Sequence, residues 1–109
     1  MIDADATLKA LAEPRRREIL RLVGERELSA GDVAAHFDVS RPAISQHLGV
    51  LKEAGLVSER RAGARRMYAA IPDRIAELGD YLQGFWGEGL ESLKLAAEAE
   101  QRSGAVNDN

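Results

Sequence analysis

The outward face of one predicted helix, residues 40–54, could do chemistry on a nucleic acid. On a helix that turns about 100° per residue, three apolar residues share the inner side: Ile44, Leu48 and Leu51. The outer side carries small or amide residues: Pro42, Ser45, Gln46 and Gly49. Small residues let a helix approach the edges of DNA bases, and a glutamine amide can pair with adenine. A solvated face usually carries Lys and Glu, which occur here only at the far end, so the pattern favours a helix in a major groove.

The start of the same helix supplies groups for phosphate. Ser40 is the predicted N-cap, and Pro42 lies in the first turn, where proline is tolerated. Arg41 borders the outer face, so its guanidinium and the free amides of the first turn are placed for a backbone phosphate. His47 lies beside the inner edge, and we interpret it as a packed or phosphate-contacting histidine rather than a metal ligand.

Two short runs, residues 56–61 and 65–71, surround Gly63 and predict a β-hairpin. Four arginines flank its turn: Arg60, Arg61, Arg65 and Arg66. Charge on an edge hairpin could serve solubility alone, but four arginines beside one glutamate exceed that need and favour contact with phosphates or the minor groove. Neighbours along a strand point to opposite faces, so the number of these arginines that reach DNA stays open.

The distribution of charge agrees with an anion-facing middle of the chain. The formal net charge is −3, which by itself argues against a nucleic-acid partner. Residues 40–69, however, carry six basic and two acidic side chains, whereas residues 1–39 and 70–109 are both net acidic. A basic segment between acidic flanks predicts one surface that faces DNA and one that faces away from it.

Composition excludes several classes of protein. The chain has 109 residues, 45% hydrophobic and 30% charged, as expected for one soluble, folded domain. No apolar run approaches the ~20 residues of a membrane span, and the acidic N-terminus has no signal-peptide pattern, so we expect no membrane partner and a cytoplasmic location. The absence of cysteine excludes disulfides and thiolate metal sites. Two histidines and no glycine-rich phosphate loop leave no catalytic constellation, so we predict no enzyme activity and no cofactor.

Four further elements must position these residues. Helices are predicted over Ala4–Leu11, from Pro14 towards Gly24, from an N-cap at Ser29, and from Pro72 onward. This order of helices around a hairpin predicts a mainly α winged helix-turn-helix. We expect one DNA-binding and dimerisation domain over residues 1–100 and a polar, disordered tail over residues 101–109.

An apolar stripe that a monomer of this size cannot cover predicts a homodimer. Its residues lie on the first and last helices: Leu8, Leu11, Ile75, Leu78, Leu82, Phe85 and Trp86. Three glycines surround the two aromatic residues, and each costs about 1 kcal/mol inside a helix. They indicate a close helix crossing, a kink or a small pocket; we favour dimer packing over a pocket for an organic effector.

The segments "LAEPRRREIL", "VSRPAISQHLGVLKEAGLVSERRAGARRMY" and "FW" together resemble the ArsR/SmtB-type bacterial transcriptional repressors over roughly residues 4–95. The resemblance implies a homodimer that binds an inverted-repeat operator in double-stranded DNA. It places the base-reading positions at Pro42, Ser45 and Gln46. Arg16 stands where the family usually keeps an arginine after the proline, while Arg15 and Arg17 are additional; three cations at a helix N-terminus oppose its dipole, so we expect acidic partners nearby.

The sequence departs from the pattern of the metal-sensing members of this family. The third helix has no cysteine and the last has no histidine before residue 100. Asp73, Glu77 and Asp80 could form a carboxylate site, but a solvated acidic face is the favoured interpretation; His36 is interpreted as a capping or surface residue. We predict no metal site. Two alternatives stay open: a protein-interaction module that has lost DNA binding, and a repressor released by an unidentified organic effector.

Overall fold

A computed structural model describes the backbone of residues 2–107 and the side chains of residues 2–85 and 93–101. Over these residues it has five helices and three short strands. The elements, in order, are α1 (Ala4–Leu11), α2 (Pro14–Glu25), β1 (Leu28–Ser29), α3 (Ala30–Ala34), α4 (Arg41–Glu53), β2 (Val57–Ala62), β3 (Arg65–Ala70) and α5 (Pro72–Asn107). The predicted mainly α architecture with a hairpin wing is confirmed.

Side-chain caps fix where the helices begin, because the first amides of a helix have no partner inside it. Ser29 accepts from the amide of Asp32, and the Asp32 carboxylate accepts in return from the amide of Ser29, which completes a capping box. Ser40 accepts from the amide of Ala43 at 3.3 Å. Pro14 and Pro42 stand in the first turns of α2 and α4. The predicted N-caps at Ser29 and Ser40 are therefore confirmed.

Two glycines with positive φ mark the turns on either side of β2. Gly55, with φ of 79°, follows the end of α4, and Gly63, with φ of 65°, lies in the hairpin turn. Only glycine adopts this region without a steric cost, so both turns follow from the sequence. Strand β2 is displaced by one residue from the predicted run 56–61, and β3 ends one residue before the predicted run 65–71.

The sheet has three antiparallel strands in the order β1-β3-β2. Leu28 of β1 lies opposite Tyr68 of β3, and Glu59 of β2 lies opposite the same tyrosine from the other side. The sequence analysis gave only the hairpin, since β1 has two residues and so no recognisable period. This extra strand joins the hairpin to the loop between α2 and α3.

Apolar side chains from α2, α3, α4 and the start of β2 form the core of the Met1–Leu78 unit. Ile44, Leu48 and Leu51 are fully buried, as the helical spacing predicts. Burial on one side only fixes the rotation of α4 about its axis and thereby turns its opposite side outward.

From Gly79 onward the chain forms a second compact unit, Gly79–Asn109, whose described part is helical. The rings of Tyr81 and Phe85 meet edge to face at 5.1 Å. The helix continues past residue 100 to Asn107, whereas a disordered tail was expected there; the run 94–101 is rich in alanine, glutamate and other strong helix formers. No helix among the described residues is long and apolar enough to span a membrane.

Candidate nucleic-acid interface

The outer face of α4 stands free of the core, as predicted. Pro42, Ser45, Gln46 and Gly49 are all exposed. Ser40 and Arg41 at the start of the helix are also exposed. The side chain of Ser40 serves as the N-cap, so its hydroxyl is already engaged within the chain, whereas no described bond ties Ser45 or Gln46. These two polar groups can hydrogen-bond to an external partner.

Gly49 is notable because nothing in the described fold requires a glycine there. A Cβ at this position would meet no described atom within 4 Å. Glycine inside a helix costs about 1 kcal/mol relative to alanine, and the backbone of Gly49 is helical with ordinary φ. The fold therefore loses stability at Gly49 without gaining any packing, which fits a surface that another molecule must approach closely.

A polar concavity of about 400 Å³ separates α4 from the hairpin. It is lined by Ser29, Ala30, Arg41, Ser45, Ala64, Arg65, Arg66 and Tyr68. Arg41 folds back over the start of α3: its guanidinium carbon lies 3.6 Å from where a Cβ of Gly31 would be. Three cations thus border a depression that opens beside the recognition-type helix.

Two of the four hairpin arginines are held by strong ion pairs. Arg60 donates from Nε and Nη2 to the two carboxylate oxygens of Glu27, at 2.7 and 2.6 Å. Arg65 donates from Nη2 to Asp32 at 2.6 Å and to the hydroxyl of Ser29 at 2.7 Å. Both acidic partners belong to the segment that runs from the end of α2 into α3, so these pairs attach the hairpin to that segment.

The other two arginines are held weakly or not at all within the described residues. Arg61 has no hydrogen bond or ion pair with any described side chain, and it lies directly opposite Arg66 across the hairpin. Arg66 approaches Glu59 at 3.5 Å. Like charges directly opposite each other destabilise a sheet, so this arrangement disfavours the isolated hairpin.

Glu59 organises the side of the hairpin that faces α4. It accepts from the hydroxyl of Tyr68 at 2.7 Å and from Lys52 at 3.4 Å. The hydrogen bond from Tyr68 is the main cause that lowers the pKa of Glu59, while burial raises the pKa of Tyr68. The bond from Arg60 likewise lowers the pKa of Glu27, and the bond from the Ser29 side chain lowers the pKa of Asp32. All three carboxylates are therefore held in the charged form.

His47 lies inside a cluster between α2 and α4 rather than on the outer face. Its Nδ1 is 3.3 Å from a guanidinium nitrogen of Arg16, and its Nε2 is 3.9 Å from Glu13. The side chain is half-buried. The interpretation of a packed histidine is supported by this placement, and contact of His47 with phosphate stays a prediction.

The arginines that follow Pro14 have carbonyl partners in addition to the acidic residues that we expected nearby. Arg16 donates to the carbonyl of Ala10 at 2.6 Å, and Arg17 donates to that of Leu11 at 2.7 Å. These are the free carbonyls at the end of α1, where cations are favourable. Arg15 approaches the carboxylate of Glu18 at 4.0 Å and lies over the ring of Phe37. The carboxylate of Glu13 accepts from the backbone amide of Arg16 at 3.2 Å.

Possible metal ligands do not cluster within the described residues. No group of three or more His, Asp or Glu side chains comes together there. Glu77 pairs with Arg74 at 3.7 Å, and the ring of His36 lies 2.9 Å from the carbonyl of Asp32 in a capping contact. The capping interpretation of His36 is confirmed.

The residues predicted for a dimer interface differ in their exposure. Leu8, Leu82 and Phe85 are 39%, 40% and 66% exposed, whereas Leu78 is buried. In the Met1–Leu78 unit, Leu11, Ile75 and Leu78 line an apolar groove of about 430 Å³, together with Leu20 and Ala70. The side chain of Trp86 lies outside the described residues.

Comparison with known proteins gives a consistent result. Residues 13–59 match the pattern described as bacterial regulatory protein, arsR family. The chain is 41% identical over 96 residues to an HTH-type transcriptional regulator of Mycobacterium tuberculosis, covering 88% of this chain and 90% of that one. It is 36% identical to the transcriptional repressor SdpR of Bacillus subtilis, and the match covers 78% of this chain and 94% of that one. A homodimeric winged helix-turn-helix DNA-binding domain from Mycobacterium bovis is similar in structure, with 32% identity, a TM-score of 0.64 and coverage of 77% and 78%.

Proposed function

Because the chain belongs to the ArsR family of bacterial regulatory proteins, we propose that it acts as a homodimeric repressor that binds an inverted-repeat operator. It is a DNA-binding transcriptional regulator with a winged helix-turn-helix. A repressor of this kind acts by occupying a promoter, so its activity is binding rather than catalysis. Its place of action is the cytoplasm, where the DNA of a bacterium lies.

One observation carries the assignment of the reading surface: the exposed, uncharged outer face of α4. Gln46 and Ser45 have free polar groups on it, and Gly49 leaves the helix open to close approach. A bidentate pair from a glutamine amide to adenine is worth about 1–3 kcal/mol of discrimination. Pro42 shares this face, and Arg41 with the hairpin supplies the charge that binds phosphate without reading sequence.

Dimer formation is supported by apolar side chains that the chain itself does not cover. Leu8 on α1 and Tyr81, Leu82 and Phe85 on α5 are exposed. Burial of such residues in a two-fold interface removes them from water, at about 25 cal/mol for each Å². Two copies of α4 would then meet two half-sites about one helical turn apart.

Selection of DNA from a random pool tests the proposal. The purified protein is incubated with random duplexes, and the bound fraction is amplified and sequenced. We expect an inverted repeat with half-sites about one helical turn apart, and light scattering should give twice the mass of the chain. Enrichment of no motif, together with no salt-dependent binding to any duplex, would favour the protein-interaction module instead.

The response of the repressor to a ligand has a direct test. Without a described cluster of His, Asp and Glu, and without cysteine, we propose that divalent metals do not release the operator. Zn, Ni, Co, Cu and Cd are titrated one at a time against the complex in fluorescence anisotropy, with a chelator control. Release by any of them at low micromolar free metal, with the protein still folded, would overturn this part of the proposal.

A further inference from the structure

The four hairpin arginines divide by the face of the sheet on which they lie. Residues directly opposite on antiparallel strands share a face, and neighbours along a strand alternate. Arg60 pairs with Met67 and Arg65 pairs with Ala62, so these two arginines share one face. Arg61 and Arg66 pair with each other on the opposite face. The division follows from register alone.

The ion pairs follow the same division. On the first face, Arg60 and Arg65 each make contacts of 2.6–2.7 Å to Glu27 or Asp32. These carboxylates are held charged by their partners, so a phosphate would have to displace a competing anion to reach either guanidinium. Arg60 is bound by two parallel hydrogen bonds, the geometry that gives arginine–carboxylate pairs their strength.

On the second face the cations are available. Arg61 has no described partner, and Arg66 makes a single 3.5 Å contact to an oxygen of Glu59. Lys52 reaches that same oxygen at 3.4 Å, and Tyr68 donates to the other oxygen at 2.7 Å. Glu59 is therefore satisfied without Arg66. The concavity beside α4 is lined by Arg41, Ser45 and both Arg65 and Arg66. Arg65 is bound there by Asp32 and Ser29, so Arg66 is the less engaged of the two hairpin cations beside the helix that we propose reads DNA.

The cross-strand pair of like charges costs the fold stability. Two arginines directly opposite each other repel, and the carboxylate of Glu59, 3.5 Å from Arg66, is already bound by Tyr68 and Lys52. Such a pair is favourable when an anion lies against both cations. A phosphate diester of the DNA backbone, with its single negative charge and open oxygens, meets that need.

We propose that Arg61 and Arg66 carry the phosphate contacts of the hairpin, whereas Arg60 and Arg65 are positioning residues that hold it against the α2–α3 segment through Glu27 and Asp32. This inference rests on the proposed function, since it concerns how the same surface binds DNA. It narrows the expectation that the hairpin arginines contact phosphate, for which the sequence left open how many of the four reach DNA. The hairpin thus reaches DNA through the arginines of one face, while those of its other face anchor it.

Salt dependence separates the two roles, because each phosphate contact that is lost lowers the slope of log K against log salt by about 0.9. The probe is a fluorescein-labelled, mixed-sequence duplex, since phosphate contacts do not depend on sequence. We expect Arg61→Gln and Arg66→Gln each to lower the slope by about 0.9. Binding is measured by anisotropy between about 50 and 200 mM salt.

The matched controls remove each ion pair without changing the net charge. They are the double variants Glu27→Gln with Arg60→Gln, and Asp32→Asn with Arg65→Gln. Both should keep the slope of the parent, while the amides of β2 and β3 exchange faster with solvent. A slope reduced by about 0.9 in either double variant, or an unchanged slope in both single variants, would overturn the division of roles.

A measurement on the parent protein avoids any loss of folding in the variants. Arginine Nε–H signals are followed by NMR while the duplex is added. The signals of Arg61 and Arg66 should move, and those of Arg60 and Arg65 should stay; equal movement of all four would contradict the inference. If the parent binds no duplex at any salt concentration, the proposed function itself fails, and the division of roles fails with it.

Discussion

The outer face of α4 and the hairpin are the two regions that we propose face DNA, and they are built in opposite ways. The face of α4 carries no charge between Pro42 and Gly49, and its orientation comes from three fully buried residues on the inner side. The hairpin carries four arginines, and ion pairs to Glu27 and Asp32 hold it. Reading a base requires a fixed geometry, which apolar burial provides. Binding a phosphate requires charge, and a charged side chain can act from an element that is held by surface ion pairs rather than by apolar burial.

This difference separates two measurable quantities. Changes on the uncharged outer face of α4, at Ser45, Gln46 or Gly49, should alter preference between sequences and leave the salt slope intact, because base contacts release no counterions. Changes at Arg61 or Arg66 should alter the slope and leave preference intact. A variant that moved both quantities equally would show that the two regions do not act independently.

The largest expected effect comes from removing the burial that orients α4. Leu48→Ala deletes a fully buried side chain and should lower the free energy of unfolding by about 2–5 kcal/mol. Chemical denaturation with urea measures it. Val50→Ala is the control on the same helix. Val50 is 40% exposed, so this substitution should lower the free energy of unfolding by no more than about 0.5 kcal/mol. Equal costs for the two variants would contradict the assigned inner and outer faces.

Gln46→Ala should have the next largest effect, on binding alone. Loss of one amide–base pair should weaken operator binding by about 1–3 kcal/mol and relax the preference at one base pair in each half-site. Affinity for mixed-sequence DNA and the salt slope should stay unchanged. Anisotropy with the selected operator and with the mixed duplex gives both numbers. Operator affinity equal to that of the parent would mean that the reading face is wrongly placed.

Gly49→Ala should change folding and binding in opposite directions. Alanine should raise the free energy of unfolding by about 0.5–1 kcal/mol, because it is the better helix former and its Cβ meets no described atom. Operator affinity should fall, since the methyl group would stand where DNA approaches. Gly24→Ala on α2, with one ordinary contact at 3.8 Å, is the matched control and should leave affinity unchanged. If Gly49→Ala gained stability and kept full operator affinity, the close approach of DNA to Gly49 would be contradicted.

The smallest effect concerns acid. The pKa values of Glu27, Asp32 and Glu59 are lowered in the folded protein, so their stabilising contribution is complete above the ordinary carboxylate range. It is lost as the pH falls through the lowered values. NMR shifts of the hairpin amides should therefore change at acidic pH while those of α4 stay constant. Glu53→Gln, at an exposed position of α4, should leave the acid-induced change of the hairpin shifts in place. A change of the α4 shifts at higher pH than those of the hairpin would contradict this prediction.

Most of the architecture could be predicted because it depends on local chemistry. Ser29 and Ser40 cap helices with amides three residues away, and Gly55 and Gly63 stand where φ is positive. The spacing of Ile44, Leu48 and Leu51 placed the inner side of α4 and therefore its outer side. These signals need no knowledge of distant residues, since the periodicity of a helix and the flexibility of glycine act within a few positions.

Only the tertiary structure decided which hairpin arginines are engaged. Arg60 and Glu27, like Arg65 and Asp32, are 33 positions apart. They meet because β1 joins β3 on the side away from β2, and two residues of strand leave no pattern to find. Arg16 shows the same limit, since its partners, the free carbonyl of Ala10 at the end of α1 and the ring of His47 on α4, belong to other helices. The sequence by itself determined where the charged residues lie along the chain and which face of α4 is apolar. The partners of the arginines depended on the strand order and on the end of α1, because electrostatic pairing is set by distance in space.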